Sequence, residues 1–214
     1  MKHIALILPA MRMGGAEKIS LNFLDYLTKY YKVTLILNKL EGELLTAVPS
    51  EVEIIEDSLL DIKTIIKSDL KRFKLFSLIK DFLYYAKIKT GHDSERNYRY
   101  LISRTPKRKE YYDLAIGYVA NVSTQIFSVI DRIDADIKIG WLHGETTELK
   151  DTELFAEYYQ KFDKIFAVSN VTKEHFVQRF PDCASKADVY YNPIRTAEII
   201  EKSKESIPYS FNKS

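Results

Sequence analysis

Two adjacent glycines, Gly14 and Gly15, lie in the loop that follows the apolar run HIALIL near the start of the chain. A loop that only had to turn could use almost any polar residues, whereas two missing side chains at a helix start let another molecule approach the backbone. Free N–H groups and the positive end of the helix dipole favour a phosphate there. The pair therefore predicts a phosphate-binding loop, with a tight strand-to-helix turn as the alternative interpretation.

The residues around this pair limit the classes of phosphate ligand that the loop could bind. The dinucleotide fingerprint GxGxxG and the phosphate-loop pattern GxxxxGK[ST] are both absent. Asn38 follows the second predicted strand, where a dehydrogenase would carry a ribose-binding acid, so a dehydrogenase is disfavoured. Glu17 has two interpretations: a first-turn acid that complements the helix dipole, or an acceptor of hydrogen bonds from sugar hydroxyls at the mouth of a cleft.

The elements that must position these residues alternate along the chain. Short apolar runs predict strands, and amphipathic stretches such as residues 15–30 and 121–133 predict helices between them. This alternation is typical of an α/β, doubly wound parallel sheet of the Rossmann-like kind, in which ligands gather beyond the carboxyl ends of the strands. The predicted strands span residues 3–8, 32–38, 52–57, 113–118, 137–143, 164–169 and 188–192.

Composition limits the class of protein. The chain has 214 residues, 46% of them hydrophobic, and a formal net charge of +2, which fits a globular protein with a sizeable core. One cysteine, Cys183, excludes an internal disulfide framework and fits a reducing compartment. No apolar run is long enough for a membrane span or a signal peptide. We therefore expect a cytoplasmic protein whose contact with a membrane, if any, is peripheral at the inner face.

A basic segment, residues 58–112, departs from the rest. Between positions 62 and 112 it carries nine Lys and five Arg against three Asp and two Glu, a net charge of +9. Residues 62–89 predict an amphipathic helix and residues 90–112 a loop with a short helix. Three uses remain open: docking on an anionic membrane surface through 62–112, packing on the sheet with solvated lysines, or contact with a partner protein. The aromatic residues that suit docking are Phe73, Phe76, Phe82, Tyr84 and Tyr85. Nucleic acid is not expected as a partner, because no recognised motif is present.

Three stretches together resemble family 4 glycosyltransferases, which retain the anomeric configuration and have the two-domain GT-B fold. The stretches are MGGAEKISLNFLDYL (13–27), IGWLHGE (139–145), and FAVSNVTKEHF (166–176) followed by VYYNPI (189–194). They fall in the family's order. The resemblance implies that this chain is the N-terminal half of a GT-B architecture, with residues 58–112 as a basic helical insertion.

The resemblance also implies a site. Gly14 and Gly15 would face the diphosphate of a nucleotide-sugar, and Glu17 would lie beside the sugar. His143 would be the catalytic residue, near the transferred sugar; in this family it is thought to contact the sugar rather than to act as a base. Trp141 lies on the same face of its strand as His143 and would either pack beneath it or line the acceptor pocket.

Further positions on the acceptor side follow from the same comparison. Gly144 and Glu145 would continue the loop into the cleft. Ser169 and Asn170 follow another strand, where capping of the next helix and ligand contact are both open. No metal site and no cofactor are expected, since the nucleotide-sugar is a co-substrate.

We therefore expect a glycosyltransferase that moves a sugar from a nucleotide-sugar to a glycan or lipid-linked acceptor, as in bacterial surface polysaccharide synthesis. The acceptor-side domain would span residues 1–195, and residues 196–214 would lead towards a C-terminal domain that these 214 residues lack. Since the Arg, Lys and glutamates that hold the donor lie in that domain, we expect this chain alone to be inactive. A nucleotide-sugar epimerase of the same architecture and a non-catalytic sugar- or lipid-binding module are the alternatives.

Overall fold

The structure is a computed structural model that describes residues 1–59, 62–72, 75–90, 94–194 and 196–205. Its core is a sheet of seven parallel strands in the order β3-β2-β1-β4-β5-β6-β7. The strands are β1 (His3–Leu8), β2 (Lys32–Leu37), β3 (Glu53–Glu56), β4 (Tyr111–Gly117), β5 (Asp134–Leu142), β6 (Lys164–Ala167) and β7 (Ala187–Val189). Each corresponds to one of the predicted strands, and the predicted α/β doubly wound fold is confirmed.

Helices connect the strands and cover both faces of the sheet. They are α1 (Gly15–Leu27), α2 (Ile62–Lys71), α3 (Leu75–Thr90), α4 (Ser94–Arg104), α5 (Ser123–Arg132), α6 (Thr152–Tyr159), α7 (Asn170–Arg179) and α8 (Thr196–Lys202). Short 3₁₀ turns lie at Glu43–Ala47 and Pro181–Lys186. Among the described residues, no helix is long and apolar enough to cross a membrane.

Two hydrophobic clusters form the core, one on each face of the sheet. The larger cluster joins α5, α6 and α7 to the sheet through aromatic side chains such as Phe127, Phe155 and Tyr159. The second cluster joins α1 to β1 and β2 through Leu24 and Leu27. Nearly continuous burial along β1 and β2 explains their unbroken apolar sequences, since each strand is covered on both faces.

The basic segment between β3 and β4 differs from the sequence prediction. Two helices, α2 and α3, lie where one amphipathic helix was predicted. The short helix predicted within the loop of residues 90–112 is present as α4, which covers Ser94–Arg104. Buried polar contacts hold these helices together: Arg104 forms an ion pair with Asp69 of α2 and another with Asp81 of α3. Tyr100 of α4 donates a hydrogen bond to Asp81.

Candidate functional site

The candidate site lies where the direction of strand order reverses, between β1 and its neighbour β4. In doubly wound sheets the loops leaving such a pair of strands diverge and leave a crevice at their carboxyl ends. Here the crevice is bordered by the loop from β1 to α1, by the residues that follow β4, and by those that follow β5. All the residues predicted for the site lie in α1 or near the carboxyl ends of β1, β5 and β6.

The glycine pair forms the start of α1. Gly14 is the N-cap residue, with φ of −110° and ψ of 165°, and no side chain caps the helix. An ordinary residue can adopt this extended conformation, so the turn itself does not require glycine. The first N–H groups of the helix, those of Gly15, Ala16 and Glu17, have no partner within the helix. Groups of this kind can bind an anion, and the diphosphate role predicted for the glycine pair stays a prediction.

The two glycines differ in what surrounds them. A Cβ atom at Gly14 would stand 2.0 Å from Oε2 of Glu17, because the glutamate side chain folds back over the helix start. This is the position from which a third-residue glutamate usually approaches the N-cap. A Cβ atom at Gly15 would meet no protein atom within 4 Å. The missing side chain at Gly14 is therefore explained by Glu17, whereas Gly15 faces open space.

A cluster of rings lies at the ends of β4 and β5. The ring of Tyr118 lies 4.6 Å from that of His143 and 5.2 Å from that of Trp141, measured between centroids. Phe23 of α1 contacts both Tyr118 and Trp141 and ties the cluster to the helix that starts at the glycine pair. The prediction that Trp141 and His143 share a face is confirmed by the 6.3 Å between their stacked rings.

Three polar atoms of this cluster are buried without a hydrogen-bond partner among the described residues. They are the hydroxyl of Tyr118, Nε1 of Trp141 and Nε2 of His143. Buried polar groups are nearly always paired in native proteins, so these three atoms can each take a further hydrogen-bond partner. Tyr118 and Trp141 are 0% and 3% exposed, and His143, which is half-buried, is the most exposed of the three.

Burial also determines the charge of these groups. Desolvation lowers the pKa of His143 to about 4, so the imidazole is neutral near pH 7. Burial raises the pKa of Tyr118 well above its ordinary value, so the phenol keeps its proton. Both side chains therefore offer neutral hydrogen-bonding groups, which can orient a hydroxyl more readily than they can remove a proton from carbon.

A cavity of about 520 Å³ opens beside the glycine loop, over the carboxyl ends of β1, β2 and β3. Glu17 lines it, as do Arg12, Asn38 and Tyr98. Asn38 accepts a hydrogen bond from the side chain of Gln125 at 2.7 Å and is thereby fixed. The predicted site residue Glu17 therefore shares this cavity with polar side chains that were not predicted to belong to the site.

The remaining predicted residues lie at the same edge of the sheet with different contacts. Gly144 lies close to Asn121, whose Nδ2 would be 3.7 Å from an added Cβ. Glu145 pairs with Nδ1 of His175 at 3.2 Å, on the side of α7. Ser169 caps α7 by accepting the N–H of Thr172 at 3.1 Å.

Asn170, the last of the predicted positions, is the first residue of α7 and is exposed. Sequence reasoning missed Tyr118 and Asn121. Their signal was their position one and four residues after the end of β4, beside the switch in strand order.

Known structures agree with the fold. The chain is similar to Alr3699/HepE of Anabaena in complex with UDP-glucose, with 14% identity and a TM-score of 0.51 over 91% of this chain and 44% of that one. It is also similar to a glycosyltransferase of Rickettsia africae, with 15% identity and a TM-score of 0.50 over 97% of this chain and 50% of that one. No family model and no curated protein matches the sequence.

These likenesses establish a class of fold. The chain is a Rossmann-like α/β unit of the kind that forms half of a GT-B architecture, with a helical insertion between β3 and β4. It spans about half the length of the solved structures that it matches.

Proposed function

We propose that this chain is the acceptor-side domain of a glycosyltransferase that moves a sugar from a nucleotide-sugar to a glycan or lipid-linked acceptor. The observation that carries the proposal is the set of three orphan polar atoms on Tyr118, Trp141 and His143, beside a helix start with open space at Gly15. The similarity to a fold that holds UDP-glucose supports a nucleotide-sugar as the donor. The resemblance of the three sequence stretches supports a retaining enzyme of family 4.

Each group then has a defined task in the proposed reaction. The N–H groups at the start of α1 would hold the donor diphosphate, whose negative charge the helix dipole favours. Neutral His143 and the Tyr118 phenol would bind hydroxyls of the transferred sugar and orient it for transfer. The nucleotide-sugar is the co-substrate, and the proposed reaction uses no metal or further cofactor. Since donor-binding residues would also be supplied by a second domain, we expect binding without turnover by this chain alone.

The test uses Trp141, which is the one tryptophan of the sequence and lies within the proposed site. Titration of the chain with UDP-glucose should change the tryptophan emission in a saturable way. Tyr118→Phe keeps the ring and removes the hydroxyl, and it should weaken binding by roughly 5- to 30-fold, as expected for a lost hydrogen bond in a buried site. Tyr111→Phe is the matched control, since Tyr111 is an exposed residue at the opposite end of β4.

Two outcomes would contradict the proposal. One is an emission that stays constant with UDP-glucose, with other UDP-sugars and with GDP-sugars. The other is equal affinity of the Tyr118→Phe and Tyr111→Phe variants, which would place the ligand away from the orphan hydroxyl.

A further inference from the structure

Helix α3 presents its apolar side to solvent. Phe76 is 92% exposed, and Ile79, Phe82 and Leu83 are between 58% and 63% exposed. At 100° per residue these four side chains fall on one contiguous arc of the helix. The opposite side carries Asp81, which is fully buried, and Leu78. An ordinary surface helix has the reverse arrangement, with its apolar stripe facing the core.

Specific contacts fix this orientation. Asp81 accepts a hydrogen bond from Tyr100 and pairs with Arg104 at 3.6 Å, both on α4. Tyr84 of α3 stacks on Tyr100 with ring centroids 3.8 Å apart. Turning α3 to bury its phenyl rings would remove Asp81 from these partners, and an unpaired buried carboxylate is costly. These contacts on the opposite side of the helix therefore keep the apolar arc exposed. Of the predicted docking residues, Phe76 and Phe82 lie on the arc, Tyr84 packs on the opposite side, and Phe73 lies outside the described residues.

The helices around the arc are rich in lysine. Helix α2, which packs against α3, exposes Lys67 and Lys71 beside Leu70, and Lys80 of α3 has its Nζ 5.8 Å from the ring of Tyr100 on α4. The segment as a whole has an excess of nine positive charges between positions 62 and 112. Large exposed apolar side chains among lysines fit an interface between hydrocarbon and anionic headgroups.

We propose that α2 and α3 dock this protein on an anionic lipid bilayer, with Phe76, Ile79, Phe82 and Leu83 inserted among the lipids and the lysines at the headgroups. Charge favours a bilayer over a second copy of the chain. A twofold contact through this face would bring the lysines of the two copies together, where like charges repel. The inference does not depend on the proposed glycosyl transfer, because it concerns a surface formed by the insertion alone.

The first experiment is flotation of the purified chain with vesicles of phosphatidylcholine, with or without phosphatidylglycerol. The chain should float with the anionic vesicles and be released by high salt, which screens the lysines. The double variant Phe76→Ser/Leu83→Ser should reduce partitioning at least about tenfold, since it removes two large apolar side chains from the contact. Tyr26→Ser/Tyr30→Ser is the matched control, because both tyrosines are 57% exposed near the end of α1 and should leave flotation unchanged.

A second pair of variants tests the charge. Lys67→Glu/Lys71→Glu should reduce partitioning on anionic vesicles at least about 20-fold, given roughly fivefold for each positive charge lost near the surface. Lys2→Glu/Lys202→Glu changes the net charge equally, at exposed positions outside α2 and α3, and should have a much smaller effect. In a Phe76→Trp variant the emission should shift to the blue when anionic vesicles are added, as the indole enters the lipid.

Three results would overturn the proposal. The chain fails to float with anionic vesicles, or Phe76→Ser/Leu83→Ser floats as well as the parent while keeping the parent's circular dichroism. Alternatively, the parent sediments as a dimer that this variant dissociates and does not float, which assigns the apolar arc to a second copy instead.

Discussion

Replacement of Gly15 by alanine distinguishes two reasons for a glycine at a helix start. Either the backbone conformation requires it, or a ligand requires the space that a side chain would fill. Gly15 is the first residue of α1, and an added Cβ meets nothing within 4 Å. Alanine at a compatible position reduces the entropy of the unfolded chain and stabilises the fold by about 0.4–1 kcal/mol. For a chain of this size, 1 kcal/mol corresponds to roughly 2–4 °C in Tm. We therefore expect Gly15→Ala to raise Tm slightly.

The same methyl group should weaken ligand binding. It would project into the space that a diphosphate needs if it is to reach the N–H groups at the start of α1. We expect the dissociation constant for UDP-glucose, followed by Trp141 emission, to rise at least about tenfold, which corresponds to about 1.4 kcal/mol. A variant that is more stable and binds less well has lost a ligand contact and not its fold.

Gly14→Ala provides the comparison, because its Cβ would collide with the Glu17 carboxylate at 2.0 Å. That side chain is flexible and can move, so we expect a small loss of stability together with a displaced Glu17. A fall in Tm of several degrees for Gly15→Ala would show that the backbone requires glycine at this position. Unchanged affinity of Gly15→Ala for UDP-glucose would show that the glycine serves only the turn and not a ligand.

Two further predictions concern buried titratable groups. The pKa of His143 is about 4 in the folded chain and 6.5 in the reference state, so the unfolded chain binds a proton more readily and the free energy of unfolding falls as the pH drops from about 6.5 towards 4. In denaturant unfolding over this pH range, the parent should lose on the order of 2 kcal/mol more of its free energy of unfolding than His143→Phe loses. Equal losses would contradict the neutral, buried imidazole. Arg132→Met should lower the free energy of unfolding by about 1.5–3 kcal/mol, because buried Asp57 loses its 2.7 Å charged hydrogen bond and keeps only its 3.3 Å pair with Arg108. Lys29→Met, in an exposed pair, should cost less than about 1 kcal/mol. Similar midpoints for these two variants in thermal melts would show that burial does not set the cost.

The strands of the sheet could be predicted from the sequence because they are buried. A strand covered on both faces has to be apolar at nearly every position, and runs such as HIALIL and KVTLIL therefore stand out without any knowledge of their neighbours. Helix α1 was predicted for a related reason, since residues 15–30 carry an amphipathic pattern. Its Leu24 is fully buried in the core, whereas Tyr26, near the end of the helix, is 57% exposed.

The sequence predicted helices within the insertion but not how they pack on one another, because that packing depends on tertiary contacts. The α4 sequence SERNYRYLISR has few apolar residues, although they give the helix an amphipathic pattern. Its helix is held by Tyr100, which reaches Asp81, and by Arg104, which reaches Asp69 and Asp81. These partners lie on other helices, so neither periodicity nor local propensity could reveal them.

Cross-strand register decided which part of the site could be found. Trp141 lies at the end of β5 and His143 directly after it, two residues further on, so their shared face follows from the geometry of a single extended segment. Tyr118 belongs to another strand. It reaches them because β4 and β5 pair with Gly117 opposite Gly140, which sets Tyr118 beside Trp141. That register depends on the packing of the whole sheet, and the orphan hydroxyl of Tyr118 becomes informative only when its distance to His143 is known.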